Sequence, residues 1–376
     1  MGYNCILCNK KLNNKIYSLK NMPAFVQNMA DSPDSKDDSV DLDLYECDSC
    51  SLIQFSCEPV YYYKDVIRAV GLSDTLRRLR TEQYNYLYNK FDLKDKKIWE
   101  VGCGGGEFLS LWNQFEVLPY GVENNELLVD KAQKENLNVI KGYVDEDYID
   151  TNGPFDAFTS FNYLEHQPKP SEWVKGIYNN LNDGAVGLLT VPSFEYFIEK
   201  ASYYEFMRDH IAYYSETALK NLFLLNGFDV IEIGRFNGDT TYIIVQKRKR
   251  ASIPDFDKQK KYLENRINEF AESNNIKRMC VWGASHQAFT LLATLNLKFD
   301  LSYIIDSSPI KWDKYSPVSH LRIVSPEHFY NDENEENVLI MAPAFSYEIF
   351  NNIKANKKTF NQIIAVKDDD IICFEE

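Results

Sequence analysis

The chain has 376 residues, too many for one hydrophobic core, and divides into two or three domains. A hydrophobic share of 44 % and a charged share of 26 % exclude wholesale disorder. The formal charge of −15 repels a phosphate backbone, which excludes a general nucleic-acid binder and leaves room only for a local basic pocket.

The N-terminal Met1-Gly-Tyr-Asn-Cys-Ile-Leu-Cys8 has no apolar signal core, and cysteines stand where a leader carries Leu and Ala. The longest uncharged stretch, Met279 to Leu297, contains Gly, Ser, His, Gln, Thr and Asn and reads as strand–turn–helix, not a membrane span. Eight cysteines in so long a chain are not a disulfide scaffold. The expectation is a cytoplasmic protein that meets neither membrane nor nucleic acid.

Residues 1–60 form the first segment. Cys5-x-x-Cys8 and Cys47-x-x-Cys50, with 38 residues between, are two knuckles that present four thiolates for a tetrahedral Zn²⁺. With every thiolate committed, no position is left for a catalytic water, so the zinc is expected to be structural. The polar run Asp31–Ser39 reads as an acidic surface loop. A segment this small has little core, so the metal should hold it together, separably from the rest of the chain.

Residues 61–250 alternate β-rich runs with amphipathic stretches, the pattern of a parallel α/β sheet. Strands are expected at 97–101, 119–123, 138–141, 155–161, 186–191, 229–233 and 242–246, with helices at 126–135 and 170–181. The first strand runs into Glu100-Val-Gly-Cys-Gly-Gly-Gly106 and then a helix. Glycines there let the backbone approach a ligand. Glu123 closes the next strand, where an acid reaches ribose hydroxyls.

The basic run Lys247–Arg250 and Pro254 mark the boundary to residues 251–376. A charged helix at 256–274 precedes strands at 279–282, 302–305, 338–341 and 363–366. This is a second α/β series with its own strand–glycine–helix opening.

Glu100, the glycines Gly102, Gly104 and Gly106, and Glu123 together resemble motifs I and II of class I S-adenosylmethionine methyltransferases. Phe155-Asp-Ala-Phe-Thr-Ser-Phe-Asn-Tyr-Leu-Glu-His166 resembles that family's fourth-strand segment, whose end, here Asn162, lines the cofactor. Knuckles in front and an α/β unit behind resemble the three-domain zinc-containing sugar C-methyltransferases of bacterial deoxysugar pathways. That resemblance covers almost the whole chain. It implies a zinc domain, a central Rossmann-like methyltransferase domain and a C-terminal Rossmann-like domain that helps to bind a nucleotide-linked sugar. The third segment carries Val281-Trp-Gly-Ala-Ser-His-Gln-Ala-Phe-Thr-Leu-Leu292, Ile304-Ile-Asp-Ser-Ser-Pro-Ile-Lys311 and Tyr315-Ser-Pro317, all similar to that subfamily's motifs. Gln287-Ala-Phe replaces its usual Lys-Gly-Asn, which removes a basic contact expected near the nucleotide.

The subfamily's catalytic Tyr-His-Glu-His corresponds here to Met207-Arg-Asp-His210. The resemblance carries His210 over as the base, Asp209 in place of the glutamate as its orienting partner, and His166 as a second active-site histidine. Tyr63, in the cluster Tyr61-Tyr62-Tyr63, falls where the subfamily has a tyrosine near the sugar. C-methylation beside a ketone needs a base for the α-proton and donors for the enolate oxygen. Met207 and Arg208 depart from the signature, so O- or N-methylation of a sugar or another small metabolite stays open. A zinc-stabilised ligand-binding module without catalysis is a further alternative.

Overall fold

The computed structural model describes residues 3–374 apart from 28, 30, 31, 33, 35–37, 66–71, 250, 251, 335 and 358. Much of the acidic run at 31–39 and the end of the basic run at Arg250 therefore lie outside the described residues. The chain forms two compact units, Met1–Arg250 and Ala251–Glu376. No helix among the described residues is long and apolar enough to cross a membrane.

In the first unit, strands β1 (Asn14–Pro23), β2 (Ser39–Glu46) and β3 (Ile53–Phe55) form an antiparallel sheet. Helix α1 (Asp74–Lys90) follows, capped by Ser73, whose hydroxyl accepts from the Leu76 amide at 3.3 Å. The larger sheet then takes β4 (Lys97–Val101), β5 (Leu118–Glu123), helix α2 (Glu126–Lys134), β6 (Val139–Lys141) and β7 (Phe155–Phe161). Helix α3 (Pro170–Asn179), β8 (Leu181–Pro192) and α4 (Phe194–Lys200) come next. The unit is completed by β9 (Ala212–Tyr213), α5 (Glu216–Leu225), β10 (Phe228–Phe236) and β11 (Thr240–Lys247).

Seven strands lie in the order β10-β11-β8-β7-β4-β5-β6. The expected all-parallel sheet is corrected at one strand: β11 runs antiparallel to both β8 and β10. Its three-residue hairpin turn, Asn237-Gly238-Asp239, with φ of +54° and +80° at the first two, makes the reversal possible without a crossover helix. The strand order reverses between β4 and β7, so the crevice between their C-terminal ends is the ligand-binding edge. A second departure is the element after the glycines, which is a six-residue 3₁₀ helix, Leu109–Gln114, and not an α-helix.

The first sixty residues are not separable as expected. Strand β9, directly after His210, joins their sheet through Ile53 opposite Tyr213 and Gln54 opposite Ala212. One hydrophobic cluster runs from Leu7, Leu44 and Phe55 to Trp173, Leu219 and Phe223. Ser215 caps α5 by accepting from the Ala218 amide at 3.1 Å, and its hydroxyl lies 3.4 Å from the Ser51 carbonyl.

The second unit holds α6 (Phe256–Ser273), β12 (Arg278–Trp282), α7 (His286–Thr294), β13 (Asp300–Ile305) and β14 (Ile323–Val324). It continues with α8 (Pro326–Tyr330), β15 (Val338–Ile340), α9 (Ser346–Asn356), β16 (Ile363–Lys367) and β17 (Asp370–Phe374). Its sheet has the order β14-β13-β12-β15-β16-β17, parallel except for β17. Apolar clusters cover both faces, one around Ile267 and Val281 and one around Phe329 and Ile340.

Candidate active site

The end of β4 is built for close approach of a ligand to the backbone. Gly102, Gly104 and Gly106 have φ of +71°, +58° and +84°, where a side chain is strained. A Cβ on Gly102 would meet the Tyr163 ring at 3.1 Å, and one on Gly106 would meet Leu137 at 2.3 Å. Glu100 is buried in the strand just before the turn.

Glu123, at the tip of β5, pins this turn. One carboxylate oxygen accepts from the Gly104 amide at 2.9 Å and the other from the Asn125 amide at 2.9 Å. Burial pushes its carboxyl above the ordinary range, and those backbone donors act against the rise. Each oxygen keeps a further lone pair for a diol. Asn162, at the end of β7, is exposed with φ +51°. Its side-chain oxygen accepts from Thr190 at 3.0 Å and its amide donates to the Thr190 carbonyl at 2.9 Å. The glycine turn, Glu123 and Asn162 thus line the crevice at which the strand order reverses, and the set fits S-adenosylmethionine.

Beside that crevice the structure brings two imidazoles together, His166 and His210, with ring centroids 4.8 Å apart. His166 ends a 3₁₀ turn, Leu164–His166, immediately after β7. Its Nδ1 lies 2.8 Å from the Asp209 carbonyl oxygen, which can only accept, so Nδ1 carries the proton and Nε2 is the basic nitrogen. His210 is half-buried, and its Nδ1 has no hydrogen-bond partner. Burial lowers both imidazoles, His210 well below the usual histidine range, with the His166 charge acting in the same direction. Both rings are neutral near pH 7.

Asp209 does not orient His210. Its two carboxylate oxygens accept from the Tyr62 hydroxyl at 2.7 Å and the Val26 amide at 3.4 Å. Neighbouring residues on a turn point apart, so the side chain reaches the first segment while the carbonyl fixes His166. The tyrosine that meets this network is Tyr62, not Tyr63; burial and Asp209 push its hydroxyl up to about 12. The Tyr63 ring faces Tyr143 at 6.2 Å, and Tyr143 donates to Gln167 at 2.8 Å.

The departures from the signature also acquire places. Arg208 donates to the carbonyls of Ala24 and Glu58, both at 3.3 Å, and lies over the Phe25 ring, tying the turn to the first segment. Met207 is held through its backbone, donating to the Tyr213 hydroxyl at 2.9 Å. One buried group was missed in the sequence. A carboxyl oxygen of Glu165 lies within 4.8 Å of a ring nitrogen of both His166 and His210. Its position next to His166, past the end of a strand, was the available signal.

The Sγ atoms of Cys5, Cys8, Cys47 and Cys50 all lie within 4.8 Å of one another, with Cys5–Cys50 and Cys8–Cys47 each at 3.5 Å. A Zn–S bond of about 2.3 Å sets a tetrahedral edge of about 3.8 Å, so the donor set fits a Cys₄ zinc site. All eight cysteines are outside disulfides.

Residues 72–233 match the profile of the methyltransferase domain family, and residues 249–366 match that of the C-methyltransferase C-terminal domain. The ubiquinone biosynthesis O-methyltransferase of Coxiella burnetii is 27 % identical over 110 residues, covering 28 % of this chain and 47 % of that protein. Its namesake from Pseudomonas entomophila is 28 % identical over 109 residues, 27 % of this chain and 46 % of that one. The chain spans about half the length of these curated relatives. Among solved structures, magnesium protoporphyrin IX methyltransferase from Synechocystis PCC 6803 with bound SAH aligns at 13 % identity and a TM-score of 0.38, covering 50 % of this chain and 96 % of that one. By domain content the chain joins a region that matches the methyltransferase domain family to one that matches the C-methyltransferase C-terminal domain.

Proposed function

We propose that the protein methylates a nucleotide-linked ketosugar at the carbon beside the ketone, by way of an enolate. The observation that carries this reading is the pair of neutral imidazoles beside the cofactor crevice, His166 buried and His210 half-buried, with the His166 tautomer fixed by the Asp209 carbonyl. S-adenosylmethionine, when bound, supplies an electrophilic methyl group on a sulfonium.

The chain's own residues would do the rest. The glycine turn, Glu123 and Asn162 hold the cofactor. His210 takes the α-proton, and a neutral ring is the form that accepts one. His166 sits beside it as the second imidazole of the site, 4.8 Å away between ring centroids. The C-methyltransferase C-terminal profile supports carbon as the acceptor. The Cys₄ cluster holds one structural zinc through four thiolates, and eight cysteines outside disulfides suit the reducing cytosol. An acidic surface leaves small molecules, not nucleic acid, as partners.

O-methylation is the second reading, favoured by the names of the curated relatives. Proton abstraction separates the two. Under the first reading, a thymidine-diphosphate-linked 4-ketohexose incubated in D₂O gains deuterium beside its ketone, and His210→Asn slows that exchange by about 10²–10⁴-fold. Methyl transfer to oxygen without deuterium gain would replace carbon as the acceptor.

A further inference from the structure

Among the described residues Glu165 is the one carboxyl grouped with the two histidines, and it belongs to neither the cofactor crevice nor the zinc cluster. It sits on the same 3₁₀ turn as His166, is 2 % exposed, and one of its oxygens is buried without a hydrogen-bond partner. A buried carboxyl in that state is costly unless it exchanges charge with its neighbours.

The histidines have the complementary difficulty. A half-buried imidazole that takes a proton from carbon becomes a cation away from water, which the burial of His210 opposes. We propose that Glu165 is the counter-charge of the His166–His210 pair, so that the three groups take up and release the acceptor's proton as one unit. This rests on the reading of His210 as the base. In that step the C–H bond breaks, its electron pair stays on carbon as the enolate, and the proton goes to a ring nitrogen of His210. The product ring is an imidazolium beside a carboxylate, with no net charge created in the site. Glu165 touches no reacting atom and is a positioning residue.

The groups facing the trio set the pH dependence. Strand β9 and the residue after it bring Tyr213 and Tyr214, whose hydroxyls burial and the Glu165 charge keep protonated. The turn before β9 brings Glu205, whose carbonyl is 3.4 Å from the Tyr213 hydroxyl, and Asp209, whose carboxylate is occupied by Tyr62. Among the described residues no lysine or arginine pairs with Glu165. Burial pushes its carboxyl up to about 8. Below that pH the carboxyl is protonated and cannot offset an imidazolium; above it the carboxylate forms and His210 becomes the better base. Proton abstraction should therefore rise as pH passes through about 8.

The histidine rings give a readout that needs no substrate. In ¹⁵N- and ¹³C-labelled full-length protein, the Glu165 carboxyl carbon and the His210 ring nitrogens should shift in one shared step. In Glu165→Gln that step should vanish from His210, with S-adenosylmethionine affinity within twofold of wild type. Glu165→Asp should retain a shared step at a displaced pH. His210 signals that stay flat through the carboxyl titration of the wild-type protein would overturn the proposal, even if the Gln variant fails to fold. So would loss of a second bound metal ion in Glu165→Gln, which would make the trio a metal site. Undiminished deuterium exchange in His210→Asn sinks the underlying reading instead, and leaves the ring titration to stand or fall separately.

Discussion

The parallel sheet of each unit has a strand, a glycine turn after it and an acid at the tip of the neighbouring parallel strand that pins the turn. In the first unit Glu123 accepts from the Gly104 and Asn125 amides, each at 2.9 Å. In the second Asp306 accepts from the Ala284 amide at 2.8 Å and the Ser308 amide at 2.9 Å, and Gly283 supplies the positive φ of +114°. The difference lies in what else the acid holds. Asp306 is paired with Lys311 at 3.0 Å, and the same ammonium donates to the Ala284 carbonyl at 2.8 Å. Among the described residues no cation pairs with Glu123, and the Asp65 charge opposes its ionisation further. One frame is left open for a diol; the other is closed on itself by its own lysine.

The largest effect should come from a feature that only the first unit has. Cys47→Ser removes one thiolate of the Cys₄ set, and zinc content should fall from one per chain. Because β9 pairs with β3 directly after His210, the damage cannot stay in the first sixty residues. A displacement of about 1 Å at a catalytic group costs on the order of 10²-fold, so turnover should fall at least that far. Thermal unfolding of the second unit should be unchanged. Full activity in a zinc-free variant would remove the structural role of the metal.

Glu123→Ala comes next. The acid's charge-assisted contacts to a ribose diol are worth about 1.5–3 kcal/mol, so calorimetry should show S-adenosylmethionine binding weakened roughly ten- to hundredfold. The variant also frees the Gly104 amide, so part of the loss will be a loosened turn. The pH sign follows from burial. A carboxyl held above its ordinary range protonates earlier on acidification, so affinity should begin to fall at a higher pH than for an exposed glutamate. Unchanged affinity would show that the open frame is not the cofactor's.

Which of these contrasts the sequence carries is itself instructive. All seven strands of the larger sheet, four of the six in the second unit, the glycine turn and the tip position of Glu123 were legible because apolar runs bounded by turn residues have a local signature. The reversal of β11 was not, since strand direction depends on which edge a hairpin joins. Nor was the place of Asp209: its carboxylate meets Tyr62, 147 residues away, and adjacency to His210 pointed the wrong way. The two-residue β9 is too short for any periodicity. Its pairing with β3, which merges the first segment with the central one, is a tertiary fact. Arg208 reads as a lost catalytic histidine until its contacts to Ala24 and Glu58 are seen.

Asp306→Ala tests the closed frame. It strips the acceptor from two backbone amides and from Lys311, each loss costing about 1–3 kcal/mol where the donor stays buried. The second unit should melt earlier, and S-adenosylmethionine affinity should stay within twofold. A tenfold drop in affinity would mean that the two frames are not separate in function.

Lys311→Met should give the smallest change, and it isolates the cation. The lysine side chain is 37 % exposed, so its pairing with Asp306 is screened by water and its removal should cost only about 1 kcal/mol. The turn keeps both backbone hydrogen bonds to Asp306, so it should not open. Hydrogen exchange reads the difference at the right place: the Ala284 amide should lose about fivefold in protection, the equivalent of that 1 kcal/mol. In Asp306→Ala the same amide should lose far more. If instead Lys311→Met exposes Ala284 as fully as Asp306→Ala does, the lysine and not the acid holds the turn. The likeness between the two frames would then be one of outline, with Glu123 alone pinning its glycines through a carboxylate.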